Sequence, residues 1–171
     1  MILTYALVVL LVVIDQISKI IVVENMNLYE QVIFIKPLLN FRFTYNTGAA
    51  WSILSDCRWL LALISIAASA ALLFLIKNIN WKKDRIYNIS MVLITSGAIG
   101  NLIDRVFRVD GVVDFLEFGF MDFPIFNIAD TFLTIGVFMI MFYVIFISKD
   151  GNLPFMENFR KKTKGDENGL S

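Results

Sequence analysis

Asp104, Asp114 and Asp130 fall in the second half of a chain that contains no histidine. Without histidine, Ser-His-Asp and Cys-His catalysis are excluded, and so is every histidine-based metal motif. The single Cys57 can form no internal disulfide or CxxC pair, and nothing beside it marks a nucleophile. Neither a Gly-x-Ser-x-Gly elbow nor a glycine-rich phosphate loop is present. Paired carboxylates are among the chemistries that remain. Asp114 and Asp130 bracket the segment 115–129, read as a re-entrant or interfacial excursion whose ends return close together. Two carboxyls held within a few ångströms do not both ionise readily: one keeps its proton while the other activates water. Such a pair titrates as a unit. It suffices for peptide hydrolysis without histidine, serine or metal. The plainer alternative has Asp130 capping the following helix and Asp114 as an ordinary exposed loop acid. Spacing alone leaves both open.

Other polar residues stand where burial would be costly. Asp15 and Lys19 are four apart, hence on one helical face, within an apolar run. They read as a neutralising pair holding that helix to its neighbours. A Ser-Lys protease is the sharper alternative. Ser18 cannot serve it, because adjacent helical residues diverge, and a neighbouring carboxylate keeps a lysine protonated. Ser52 or Ser96 could still approach. Asp104 and Arg105 read as interfacial anchors just after a span. Asn101 and Asn127 each precede an acid by three residues, where an amide could orient a carboxylate, hold a substrate backbone or tie down its own loop. Gly48, Gly97 and Gly100 suggest close backbone approach.

The elements that must position these residues are membrane elements. Of 171 residues, 58% are apolar and 18% charged, with 15 basic against 15 acidic, and the mean hydropathy is +0.72. That hydropathy disfavours soluble enzymes and disordered regulators, and with no net charge there is no basic field for the phosphates of nucleic acid. Four stretches read as spans: about 2–23, 59–76, 86–103 and 128–147. The first lacks a basic leader and a cleavage site, so it reads as a retained anchor. In the second, Ala62, Ser65, Ala68 and Ser69 read as a packing face. Lys77, Lys82, Lys83 and Arg85 follow the second span, and Lys149, Arg160, Lys161, Lys162 and Lys164 follow the fourth. That bias puts both termini and the middle loop in the cytoplasm and the long loops, about 24–58 and 104–127, outside. In the first of these, Leu39, Phe41, Phe43 and Tyr45 alternate with polar residues. They predict a half-buried strand paired with 32–36, its aromatic face against the membrane surface. The organisation expected is a four-helix membrane unit over 1–147, mainly α with a small extracytoplasmic sheet, and a charged tail over 148–171.

Five segments occur in order on this topology: Asp15-Gln-Ile-Ser-Lys19, Asn46-Thr-Gly-Ala-Ala-Trp-Ser52, Gly100-Asn-Leu-Ile-Asp-Arg105, Val112-Val-Asp-Phe115 and Phe126-Asn-Ile-Ala-Asp130. Together they resemble the bacterial lipoprotein signal peptidases, the signal peptidase II family. The resemblance implies an aspartic protease of the inner or plasma membrane, needing no metal or cofactor. Such enzymes remove signal peptides from diacylglyceryl-modified prolipoproteins, cutting before the lipidated cysteine. It implies a dyad of Asp114 and Asp130, with Asn46, Gly48, Asn101, Asp104, Arg105 and Asn127 around the site and Asp15 and Lys19 in support. Trp51 stands where phenylalanine is more usual. Membrane lipids are expected partners, nucleic acid is not, and one chain holds every required part, so a monomer is expected. Two rivals remain on residues alone. A small transporter or channel subunit would use Asp15, Lys19 and the polar third span, and an assembly scaffold would use the aromatic loops.

Overall fold

The computed structural model describes residues 1–48, 58–148 and 153–155. Trp51, Ser52, Cys57 and the basic residues of the tail lie outside the described residues. Four helices, α1 (Ile2–Asn25), α2 (Arg58–Leu75), α3 (Arg85–Phe107) and α4 (Ile128–Phe142), accompany three strands, β1 (Gln31–Ile35), β2 (Leu39–Asn46) and β3 (Val112–Phe118). Helices α1 and α3 are long and apolar enough to cross a membrane, as is α4 together with its final turn, Ile128–Ile147. The apolar part of α2, Trp59–Leu75, is shorter. It continues into a tight turn, Ile76–Asn78. Eighteen helical residues still span about 27 Å at 1.5 Å per residue.

Helix α3 is the interior helix. Of its most apolar eighteen residues 56% are buried, against 22% for α1 and 11% for α4. This explains its polarity: hydroxyls inside a bundle must find partners. Those of Ser90, Thr95 and Ser96 donate to the carbonyls of Tyr87, Met91 and Val92, each at 2.7 Å. Their protons are spent within their own helix, and Ser96 donates to Val92 rather than toward a lysine. A Cβ on Gly100 would stand 2.6 Å from Asp15 Oδ2 and 3.1 Å from Ala129 Cβ. Glycine there lets α1, α3 and the start of α4 converge. On α2, Ala62 and Ser69 are buried and Ser65 is half-buried, but Ala68 is exposed. At three and seven residues from Ala62, Ser65 and Ser69 share its face; Ala68 does not.

Three expectations need correction. Helix α3 runs four residues past Ile103 to Phe107, so Asp104 and Arg105 lie within it and the following connection begins later than residue 104. The charged end stays helical because Asp104 is neutralised in place by Lys19 and by Arg108, its neighbour one turn on. Second, the connection to α4 is not only an interfacial excursion. Residues 112–118 form β3, and the sheet is antiparallel in the order β1-β2-β3. Its register sets Thr44 opposite Asp114 and Asn46 opposite Val112. Four successive residues, Val112 to Phe115, are buried. A strand covered on both faces carries no period-two signal. Third, much of the aromatic face of β2 packs inward. Phe43 and Phe115 cluster with Val22 of α1 and with Val113, and Phe41, Tyr45 and Ile128 pack around them. The residues of β1 are instead all exposed.

Candidate active site

Strand β3 carries Asp114 and the first turn of α4 carries Asp130. The two meet because the chain between them folds back: Phe126 pairs with Leu116 through hydrogen bonds of 2.8 and 2.9 Å. Phe118 lies against Phe123 and Phe126, ring centroids 5.6 and 5.0 Å apart. Both acids line one cavity of about 430 Å³, with Asn46, Asn101, Arg105, Thr131 and Thr134 as its other polar residues. The remaining wall is chiefly apolar, including Phe118, Phe123, Phe126 and Leu133.

Asn127 joins the two carboxylates. Its Nδ2 donates to Asp114 Oδ1 at 2.7 Å. Its backbone N–H donates to Asp130 Oδ2 at 3.2 Å, while its Oδ1 accepts the Asp130 N–H at 2.9 Å. These last two bonds form a capping box, with Asn127 as the cap residue and Asp130 at the third helical position. The helix-start alternative for Asp130 is therefore correct, and it coexists with the convergence. The exposed-loop alternative for Asp114 is not: this residue is 2% exposed.

Each acid has a second amide. Asn46 Nδ2 donates to Asp114 Oδ2 at 3.0 Å, and its Oδ1 accepts the Gly48 N–H at 3.0 Å. That turn fixes which end of the amide faces the acid. Gly111, at φ +116°, passes close by, and a Cβ there would stand 2.6 Å from the Asn46 carbonyl oxygen. Asn101 Nδ2 donates to Asp130 Oδ1 at 2.7 Å. Burial pushes the Asp114 carboxyl up to about 7, and the nearby charge of Asp130 adds to it. The amides of Asn46 and Asn127 and the charge of Lys19 act in the opposite direction. A buried carboxyl titrating near neutrality beside a second one can hold a proton while its partner accepts another.

Behind this pair lies a fully buried ion cluster. Lys19 Nζ is 2.9 Å from Asp15 Oδ2 and 2.9 Å from Asp104 Oδ2. The neutralising reading of Asp15 and Lys19 holds, with Asp104 as a third member. Asp104 is fully buried, so it is no interfacial anchor. Arg105 shares the main cavity wall and also lines a smaller recess with Gly48 and Gly111. Sequence reasoning missed Gln16, whose amide reaches Asp15, the Gly100 carbonyl and Asp104 at 3.1, 3.1 and 3.3 Å. It also missed Arg108, 3.1 Å from Asp104, which the four-residue spacing could have flagged. Glu117, bonded by Gln31, Asn40 and Arg42 across the sheet, had no local signal.

A family model described as signal peptidase (SPase) II matches residues 7–146. A lipoprotein signal peptidase of Enterococcus faecalis is 42% identical over 140 residues, covering 82% of this chain and 86% of the relative. One from Lactobacillus johnsonii is 39% identical over 146 residues, with 85% and 94% covered. A bacterial membrane enzyme solved by the in meso method at 2.3 Å resolution superposes with a TM-score of 0.74 at 34% identity, covering 87% of this chain and 91% of that one. The apolar helices and this likeness make the protein a multi-pass membrane protein. The chain is a peptidase that belongs to the signal peptidase II family.

Proposed function

We propose that Asp114 and Asp130 are the catalytic dyad of an aspartic endopeptidase that removes signal peptides from diacylglyceryl-modified prolipoproteins, cutting before the lipidated cysteine. The observation that carries the reading is the arrival of two carboxyls, from separate elements, on the wall of one largely apolar cavity, tied together by Asn127. Asp114 carries the proton the pair shares. Asp130 takes a proton from a water molecule, which attacks the scissile carbonyl. Asp114 then donates to the developing oxyanion; as the amide breaks, Asp130 passes the proton it took from water to the leaving amine, and Asp114 recovers its own from the collapsing tetrahedral hydroxyl. Asn46, Asn101 and Asn127 keep both carboxyls aimed into the cavity, so little reorganisation is needed as charge develops. Arg105 offers a cation beside the substrate backbone, and the Phe118–Phe123–Phe126 cluster offers a wall for apolar substrate groups.

The site is assigned to the extracytoplasmic face. The basic residues Lys77, Lys82, Lys83 and Arg85 lie near the start of α3, whereas Asn101 and Arg105 lie near its far end. Both termini are then cytoplasmic, and the exposed apolar residues of β1 rest in the membrane interface. The substrate's lipid keeps it in the bilayer and delivers the cleavage point to that depth. One chain supplies both acids, so the monomer is the working unit. No metal or cofactor takes part.

The test is cleavage of a diacylglyceryl prolipopeptide by the purified protein in detergent, beside Asp114→Asn and Asp130→Asn. The parent should cut before the lipidated cysteine, and both variants, still folded, should be inert. Cleavage by either variant at the parental rate would remove that residue from the chemistry.

A further inference from the structure

A lysine ammonium has three hydrogens to donate and can accept none. The ammonium of Lys19 has three acceptors: Asp15 Oδ2 and Asp104 Oδ2, both at 2.9 Å, and Asn101 Oδ1 at 3.2 Å. Each acceptor leads on to one of the two acids in the cavity. Asp15 Oδ1 accepts the backbone N–H of Ala129 at 2.9 Å, one residue before Asp130. Asp104 Oδ2 accepts the backbone N–H of Val113 at 3.2 Å, one residue before Asp114. Asn101, holding Lys19 with its oxygen, turns its Nδ2 to Asp130 Oδ1 at 2.7 Å.

We propose that Lys19 is a positioning residue of the reaction: from one buried point it fixes the separation of Asp114 and Asp130 and the direction of the amide that binds Asp130. The proposal rests on the dyad reading above. Because an ammonium only donates, it admits one orientation of the Asn101 amide. A flipped amide would face its NH2 to Lys19 and to the Asn127 Nδ2 that it now accepts from at 3.1 Å. It would also set oxygen against the Asp130 carboxylate. Neutrality alone does not need this arrangement, since well-packed apolar side chains commonly replace a buried ion pair at no cost in stability. Asp15 and Asp104 against Lys19 and Arg108 are already balanced, two charges to two. What apolar replacements could not do is hold two backbone N–H groups and one amide in a common frame.

The experiment uses the full-length protein in detergent with a diacylglyceryl prolipopeptide. Lys19→Met alone would strand buried carboxylates, so the informative variant is Lys19→Met combined with Asp15→Asn. It keeps the charge balance and leaves an oxygen for the Ala129 N–H. This double variant should unfold near the parental temperature and keep KM within about threefold, while kcat falls about 30- to 100-fold, as expected when reacting groups shift by about an ångström. Asn101→Ala added to it should cost much less than Asn101→Ala does in the parent, because one path is being cut twice. A folded double variant with parental kcat, a loss carried by KM alone, or strict additivity with Asn101→Ala would each overturn the proposal. An Asp130→Asn protein that cuts like the parent would instead sink the dyad reading. An inert Asp130→Asn beside an unimpaired double variant would overturn only the role of Lys19.

Discussion

Asp114 should make the protein less stable as the pH rises, and replacing it should remove that dependence. The carboxyl is pushed from 3.8 to about 7 in the folded protein and is 2% exposed. In the unfolded chain it titrates near its ordinary value of about 3.9. Between those limits the folded state holds the proton that the unfolded state has released. By linkage, stability then falls with rising pH across that window and levels off above about 7. From pH 5 to pH 8 the loss from this one group is roughly 3 kcal/mol, at about 1.4 kcal/mol for each pH unit between 5 and 7. An asparagine side chain cannot ionise, so Asp114→Asn should follow the same curve without this component. Replacing an oxygen by an NH2 opposes the donors of Asn46 or Asn127 and costs about 1–2 kcal/mol, but that offset is similar at both pH values and cancels in the comparison. The assay is equilibrium unfolding of parent and variant in mixed detergent micelles at pH 5 and pH 8, with cleavage followed alongside. The stability of the variant relative to the parent should improve by roughly 3 kcal/mol at the higher pH, although the variant is inert. A gap of the same size at both pH values would refute the reasoning: Asp114 would then be ionised throughout and could not supply the shared proton.

Cleavage itself should decline as the pH rises through about 7, where Asp114 loses its proton. Asn46→Ala, which removes a donor favouring the ionised form, should move that decline upward by up to about one pH unit, read from the pH dependence of kcat. Gly100→Ala should destabilise the protein by about 1–3 kcal/mol, because the added Cβ would meet Asp15 and Ala129 at 2.6 and 3.1 Å; a thermal midpoint equal to the parent's would contradict the close approach of α1, α3 and α4. Exhaustive dialysis against a chelator should leave cleavage unchanged, and loss restored by a divalent ion would rule out a mechanism of carboxyls alone. Glu117→Gln should cost less than about 1 kcal/mol, since its contact with Arg42 is partly solvent-exposed.

What the amino-acid sequence determined is what its local pattern encodes. Apolar runs of membrane length gave the four helices, because a lipid-facing helix is apolar over its whole outer surface. Alternation from Leu39 to Tyr45 gave β2 and its pairing with β1, because that strand is covered on one side more than the other. The absence of histidine narrowed the chemistry, and five short segments carried the family resemblance and with it the candidate acids. The rest depends on residues far apart in the chain. Strand β3 was hidden because Val112–Phe115 is buried throughout and so shows no alternation. The length of α3 was hidden because the partner that lets Asp104 remain helical and buried lies on α1. Asn101 reads as one polar residue among several on α3; its place between Lys19 and Asp130 exists only once helices 82 and 29 residues away are brought to it. Local periodicity reports which side of an element is covered. Which groups face each other across the cover is a property of packing, and here packing decides that Asp114 and Asp130 share one asparagine and one cavity.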